Sequence, residues 1–323
     1  MRHLSFIFNF EMTVKKFLKH TILFALFFLI FYIGMVFVWG VVMPPRFRPN
    51  LTYPLGAHGF MHTRIQEVKN VQNVDILFLG SSHAYRGFDP RILEEKGLST
   101  FNLGSSAQSP IESQILLKRY LSSINPKLVV WEVFPATIEG DGVESALDLI
   151  ANDKIDYLSL GMAWELNNIS VYNNLLFGFF REILGMDRDF EEPKSDGTNT
   201  YISGGYVERS LEYWHVKPMP AKRLTINPKQ LEALEKAIEL IKSQGRDIVL
   251  VQAPTTATQY GSILNNTMFD SLMSRQGYYK NYNQILALND SLHFYDSHHL
   301  NQAGVEIFDT KFIEDLKTNN WLK

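Results

Sequence analysis

Two short segments of this chain hold the residue types for acyl chemistry. The first is Gly80-Ser81-Ser82-His83, directly after the apolar run Val74-Asp75-Ile76-Leu77-Phe78-Leu79. The second is Asp296-Ser297-His298-His299-Leu300-Asn301, close to the C-terminus. A serine on a tight turn becomes a nucleophile when a base takes its proton, and a histidine base needs a carboxylate to orient it. An Asp-x-x-His supplies both. Ser82 rather than Ser81 is the expected nucleophile, because the third position of such a turn points out from the sheet edge. Gly80 permits the turn, and the N–H groups opening the next helix can face a developing oxyanion. By spacing, His299 is the expected base and Asp296 its orienting group, with His298 as the competitor for the base. Each segment alone has an ordinary structural explanation: a common Gly-Ser-Ser turn, a loop histidine at His83, a helix cap at Asp296. Their occurrence in one chain is what points to an ester.

The bulk properties narrow the classes. The chain has 323 residues, a net charge of -3 and no cysteine. The charge gives no footprint of nucleic-acid binding. Without cysteine there are no disulfides, no thiolate metal sites and no cysteine nucleophile. His293, His298 and His299 lie near Asp296, but no His-x-x-x-His helix or other ligand spacing accompanies them, so no metal and no cofactor is expected.

The N-terminus bears on location. Thr21 to Met43 is a stretch of 23 residues without a charged side chain, and about 20 such residues cross a bilayer as a helix. Lys15, Lys16 and Lys19 precede it; Arg46 and Arg48 follow it. A signal peptide has a shorter apolar core and a small-residue cleavage site, whereas this run ends in Val41-Val42-Met43-Pro44-Pro45. The expectation is a single-pass anchor in the inner or cytoplasmic membrane. Residues 1–20 would be cytoplasmic by the positive-inside bias, and the body periplasmic or extracellular.

The rest divides into a Pro-rich linker at 44–70 and a folded body at 71–323. Strands are expected at Asp75–Leu79, Thr100–Leu103, Lys127–Val133 and Asp247–Val251, with a short fifth at His293–Tyr295. Helices are expected near Pro90–Lys96, Pro110–Leu121, Pro228–Gln244 and Asn301–Leu316. Alternating strands and helices predict an α/β fold, a parallel sheet covered on both faces. Ligands bind such sheets outside the carboxyl ends of the strands, where Ser82 and Asp296 would both sit. Residues 155–227 break the alternation and read as an insertion capping that end. Its aromatic residues, Trp164, Tyr172, Phe177, Phe179, Phe180, Tyr201, Tyr206, Tyr213 and Trp214, could stack on sugar rings. The reading the sequence favours is that they form a small hydrophobic subcore under a loop.

Gly80-Ser81-Ser82, Asn102-Leu103-Gly104 and Asp296-x-x-His299-Leu300-Asn301-x-x-Gly304, in that order, resemble the SGNH/GDSL hydrolase superfamily. The resemblance covers the body from about Asp75 to Phe308. It implies a three-layer, flavodoxin-like parallel sheet, with Ser82 as nucleophile, Asp296 and His299 completing a triad, and the Gly104 backbone N–H in the oxyanion hole. Two departures stand out. The first block reads Gly-Ser-Ser, not Gly-Asp-Ser. The third block, Gly-x-Asn-Asp, is missing: after the third strand the chain reads Val129-Val130-Trp131-Glu132-Val133-Phe134-Pro135. Loss of one oxyanion donor costs on the order of 2.7–4 kcal/mol of transition-state stabilisation. Gln108 or a residue of the insertion is the expected substitute, with His83 as a further binding residue. Glu132 either enters the site or forms a structural ion pair.

The Gly-Ser-Ser block, the anchor and the absent asparagine together resemble one subset of the superfamily. Its members are membrane-anchored proteins of cell-surface polysaccharide acylation, of the teichoic acid D-alanyl transfer and alginate O-acetylation type. That resemblance implies a serine O-acyltransferase or esterase acting on O-acyl groups of a cell-surface polysaccharide or lipid-linked glycan. It also implies a multi-pass membrane O-acyltransferase as partner. The alternative is a non-catalytic protein of the same fold that binds glycan or the membrane acyltransferase.

Overall fold

Apolar runs that end in Gly, Pro or a polar turn become strands. Segments opened by Pro, or by a Ser, Thr, Asp or Asn cap, become helices. The computed structural model describes residues 14–322. In chain order the elements are α1 (Val14–Val42), α2 (Met61–Val68), β1 (Ile76–Leu79), α3 (Ser82–Tyr85), α4 (Pro90–Glu94), β2 (Thr100–Asn102), α5 (Pro110–Ile124), β3 (Leu128–Glu132), α6 (Pro135–Glu139) and α7 (Val143–Asn152). There follow α8 (Tyr157–Leu166), α9 (Ile169–Ile183), β4 (Asn199–Ile202), β5 (Tyr206–Arg209), α10 (Pro228–Ser243), β6 (Asp247–Gln252), α11 (Ala257–Ser262), α12 (Asn266–Gln276), β7 (Tyr278–Asn281) and α13 (Gln302–Thr318).

The central sheet has the order β2-β1-β3-β6-β7, and every pairing in it is parallel. Successive side chains on a strand face opposite layers, and here both layers are apolar. Leu77, Leu79, Val129, Trp131 and Leu250 pack with α5, α7 and α10 on one side. Ile76, Phe78, Val130, Val249 and Val251 pack with Phe88, Phe308 and Phe312 on the other. This is the expected three-layer α/β arrangement. The chain order of the strands reverses between β1 and β3, which marks the crevice where such sheets bind ligands.

Three expectations need correction. The fifth strand is Tyr278–Asn281, paired with β6. It was hidden because Tyr-Tyr-Lys-Asn forms a half-exposed edge rather than an apolar run. His293–Tyr295 is a loop; Phe294 makes one isolated antiparallel bridge to Leu300 and is fully buried. Asn301 holds that loop by accepting from Gly304 N at 3.1 Å and donating to Leu292 O at 2.9 Å. The stretch 44–70, expected as a linker, ends in a helix: Met61, Ile65 and Val68, at helical spacing, bury one face of α2.

The apolar N-terminal run forms α1, long and apolar enough to cross a membrane. Of the N-terminal segment 1–20, residues 1–13 lie outside the described residues. In the 155–227 region, α8 and α9 pack on α5, α7 and the end of α1. The β4–β5 hairpin lies beyond β2, where Asn102 N donates to Gly204 O at 2.8 Å. The fully buried Arg64 reaches from α2 to Gly205 O at 3.0 Å.

Phe88 is stacked on Phe78 at 4.2 Å and meets Phe312 edge-on at 5.1 Å, with no solvent exposure. Replacing Phe88 with alanine should cost about 3–5 kcal/mol of unfolding free energy, since close-packed rings cannot collapse into the space. Denaturant unfolding in detergent checks this; a loss below ~1 kcal/mol would mean that the layer is loosely packed.

Candidate active site

The site begins at the end of β1. Gly80 has φ +132°, and a Cβ there would fall 2.6 Å from Glu132 O and 2.8 Å from Glu132 Cβ. Only glycine lets β1 and β3 run this close before the chain turns. Ser81 then caps α3, its Oγ accepting from His83 N. Ser82 becomes the first residue of α3, where backbone N–H groups have no intrahelical partner. Asn102, at the end of β2, donates to Ala84 O at 2.8 Å and so ties α3 to the sheet.

The second half comes from the loop before α13. Asp296 Oδ1 accepts from the backbone N–H groups of His298 and His299 at 2.9 and 2.8 Å, an Asx turn that fixes the carboxylate. Thr256 donates its hydroxyl to Ser297 O at 2.6 Å and anchors the loop to the segment after β6. Asp296 therefore caps this turn, while Asn301 caps α13.

These two supports bring the predicted residues together. His299 Nδ1 lies 2.7 Å from Asp296 Oδ2, and His299 Nε2 lies 2.7 Å from Ser82 Oγ. Both ring nitrogens of His299 are thus engaged, and His298 is not in line with Ser82. Burial lowers the His299 pKa below its ordinary value, against the pull of Asp296. Burial alone would raise Asp296, but the His299 hydrogen bond and charge, with His298, hold it well below the usual carboxylate range. The imidazole is therefore neutral, and the carboxylate ionised, at neutral pH. This is the resting state of a general base and its orienting group.

Around this line of three lies an aromatic shell that sequence patterns did not reveal. Tyr295 stacks parallel on His299 at 5.3 Å, and Arg209 from β5 sits over Tyr295 at 4.6 Å. His83 stacks on His299 at 4.8 Å and meets Phe134, tilted, at 4.0 Å. His83 is buried, with Nδ1 3.1 Å from Ser81 Oγ, so it is not a solvated loop residue. Burial, then the neighbouring His299 and His298, push its pKa well below the ordinary value. Burial and His299 push His298 down to about 4. His83, His298 and His299 carry ring nitrogens within 4.8 Å of one another. A cation there would compete with Ser82 and Asp296 for His299.

A cavity of about 330 Å³ opens beside Ser82, at the crevice between β1 and β3. Ser82, His83, Phe134 and His298 form one wall; Ser106, Ala107, Thr137, Asp141, Glu144 and Ser145 form much of the rest. Ala107 holds φ +48°, rare for a residue with a Cβ. The polar wall is contributed by the β2–α5 loop and by the α6–α7 region, before the insertion. None of the insertion's aromatic residues lines the cavity. Trp164 lies on the outer surface of α8, and Phe177 and Phe180 pack on Phe37 of α1.

Two expected oxyanion donors are otherwise engaged. The Gly104 N–H donates to Asn102 Oδ1 at 3.0 Å. Gln108 is buried, donates from Nε2 to Ser113 Oγ at 2.8 Å and does not line the cavity. Its position, a few residues past the block, could not reveal that the side chain turns into α5. Glu132 does not enter the cavity, and among the described residues it forms no ion pair. It lies beneath the Gly80 turn and accepts from Ser81 Oγ at 3.0 Å; burial pushes its pKa up to about 8.

No family model matches this chain, and no curated protein matches it. Solved structures do. A candidate acylhydrolase from Bacteroides fragilis aligns over 79% of this chain and 94% of its own, with 11% identity and a TM-score of 0.40. A GDSL-like lipase from Bacteroides thetaiotaomicron aligns over 81% of this chain and 98% of its own, with 11% identity and a TM-score of 0.41. A gut microbial diltiazem-metabolizing enzyme aligns over 76% of this chain and 47% of its own, with 13% identity and a TM-score of 0.28.

The buried Glu132 generates a prediction with a definite sign. Its folded pKa of about 8 lies above the ordinary 4.5 of the unfolded chain. Between those values the folded state holds the extra proton, so this group makes stability fall as pH rises, by up to about 1.4 kcal/mol per unit. Glu132→Gln should remove that share of the slope between about pH 5 and 8 in unfolding titrations. An unchanged slope would mean that Glu132 is ionised in the fold.

Proposed function

We propose that this protein is a serine acyl-transfer enzyme whose nucleophile is Ser82. The observation that carries this reading is the pair of 2.7 Å contacts on His299, one to Ser82 Oγ and one to Asp296 Oδ2, beside an open cavity. Ser82 Oγ attacks the carbonyl carbon of an ester as His299 Nε2 takes its proton. Asp296 stabilises the imidazolium that forms. The tetrahedral oxyanion faces the Ser82 N–H at the start of α3. When the intermediate collapses, the imidazolium gives its proton to the departing alkoxide and leaves an acyl-serine. A second hydroxyl, from water or from an acceptor, then loses its proton to His299 and attacks the acyl-serine. Ser82 is restored and either a carboxylic acid or a new ester is released.

The cavity favours an acceptor rich in hydroxyl groups. Thr137, Asp141 and Glu144 offer oxygen atoms suited to sugar hydroxyls, and the volume suits one or two sugar rings or a short acyl chain. With α1 read as a membrane anchor, the substrate class that fits is an O-acylated glycan of the cell envelope. A multi-pass membrane O-acyltransferase is a chemically reasonable donor of the acyl group. Polysaccharide acylation beside such a partner, with the N-terminus inside and the domain outside, is our reading of the anchor and of the family resemblance.

Turnover of p-nitrophenyl acetate by the full chain tests the catalytic part. Ser82→Ala should abolish it, and Asp296→Asn should lower kcat by roughly 10⁴-fold by leaving His299 in the wrong tautomer. Because burial lowers the His299 pKa, kcat/KM should be flat through pH 7 and fall only below pH 6.5 as the base protonates. An acid limb centred above pH 6.5, or turnover that survives Ser82→Ala, would remove His299 or Ser82 from these roles. Adding an oligosaccharide acceptor then separates transfer from hydrolysis: a transferase gives an acylated sugar at the expense of free acetate.

A further inference from the structure

The outer surface of α8 has the wrong polarity for water. Ser159, Met162 and Ala163 face inward and are buried. Tyr157, Leu160 and Trp164, at three- and four-residue spacing, face outward with 77%, 59% and 80% of their surface exposed. A helix on a wet surface is polar on its outer side; one that is apolar on both sides lies in a core or against lipid. On α9, Ile169, Phe179 and Ile183 are exposed as well, with Glu182 between the last two, and Leu184 and Met186 just beyond the helix are exposed too. Exposed apolar patches of this extent mark contact with another body.

The packing of α9 identifies that body. Its opposite partner is the C-terminal part of α1: Phe37 meets Phe177 at 6.5 Å and Phe180 at 5.2 Å, and the Tyr32 hydroxyl donates to Asn173 Oδ1. A Cβ at Gly40 would fall 2.5 Å from the Phe177 ring, so this helix crossing is close. The 29 residues of α1 span about 44 Å, against roughly 30 Å of hydrocarbon. Lys15, Lys16 and Lys19 place one end of α1 among headgroups. About 20 residues later, near Trp39, the helix reaches the other interface. That is the stretch on which α9 is seated. The linker folds back there as well: Trp39 Nε1 donates to Phe47 O at 3.0 Å, and Arg48 donates to Gly40 O. Tyr157 and Trp164 are the residue types that favour a membrane–water interface.

We infer that the outward face of α8 and α9 lies in the bilayer leaflet at the C-terminal end of α1, with Leu160, Trp164, Phe179 and Ile183 below the headgroups. The domain is then held to the membrane at two places rather than tethered by a single helix. This inference rests on α1 being a membrane span. It is independent of the chemistry at Ser82.

The chain has no cysteine, so single-cysteine variants can be spin-labelled without background. The full chain is reconstituted at one copy per nanodisc of phosphatidylcholine and phosphatidylglycerol. Labels go on Leu160→Cys, Trp164→Cys and Phe179→Cys. Phe28→Cys on α1 serves as the lipid reference and Lys236→Cys on α10 as the aqueous one. Collision with oxygen should be high, and with a water-soluble nickel chelate low, at 160, 164 and 179, as at 28. Chelate accessibility equal to that of position 236, with position 28 immersed, would overturn the docking inference alone. Chelate accessibility at position 28 would overturn the span on which it rests. Shielding from both reagents only at two copies per disc would assign this face to a second chain and also overturn it.

Discussion

A single imidazole, held from both sides, joins two parts of the chain that are 217 residues apart. His299 can stand between Ser82 and Asp296 only if the end of β1 and the start of α13 keep a fixed separation. The layer beneath sets that separation. Phe78 on β1, Phe88 after α3, and Phe308 and Phe312 on α13 form one aromatic cluster. Close-packed rings transmit position with little give. Closing so long a loop costs only logarithmically more than closing a short one, so a distant pairing of this kind is affordable once the sheet is formed.

The second constraint is dielectric. His83, Glu132 and His299 are withdrawn from water, and burial pushes each toward its neutral form. Asp296 alone stays charged, because the Asx turn and His299 together give its oxygens three N–H partners. A lone carboxylate among neutral imidazoles strengthens the basicity of the ring that it touches. Arg209, over Tyr295, connects the β4–β5 hairpin to the back of the same ring system. The region between α7 and α10 therefore meets the site through the hairpin, against Tyr295, and meets the end of α1 through α9.

How much of this was legible in the sequence follows from what each feature requires. β1, β3 and β6 are buried on both faces and so read as apolar runs. The Ser82 turn and the Asp296–His299 turn are local, and local backbone demands leave local residue signatures. β7 left none, because its Tyr-Tyr-Lys-Asn is half-exposed at the sheet edge and holds no aliphatic residue. His293–Tyr295 looked like a strand for its aromatic content, but Phe294 fills a core position from a loop held by Asn301. Gly104 and Gln108 were placed by position within a block, and position does not report which partner a donor finds. The cavity wall from Ser106 to Ser145 was illegible for another reason. It is built from residues of the β2–α5 loop and the α6–α7 region, which only the folded sheet brings together.

Reaction of the full chain with a fluorophosphonate, followed by peptide mapping, tests the central claim most directly. A serine activated by a neutral imidazole is phosphonylated far faster than an ordinary hydroxyl. The account predicts one adduct, on Ser82, lost on His299→Ala and retained on His298→Ala. A folded protein that forms no adduct, or one whose adduct sits on Ser81, would contradict it.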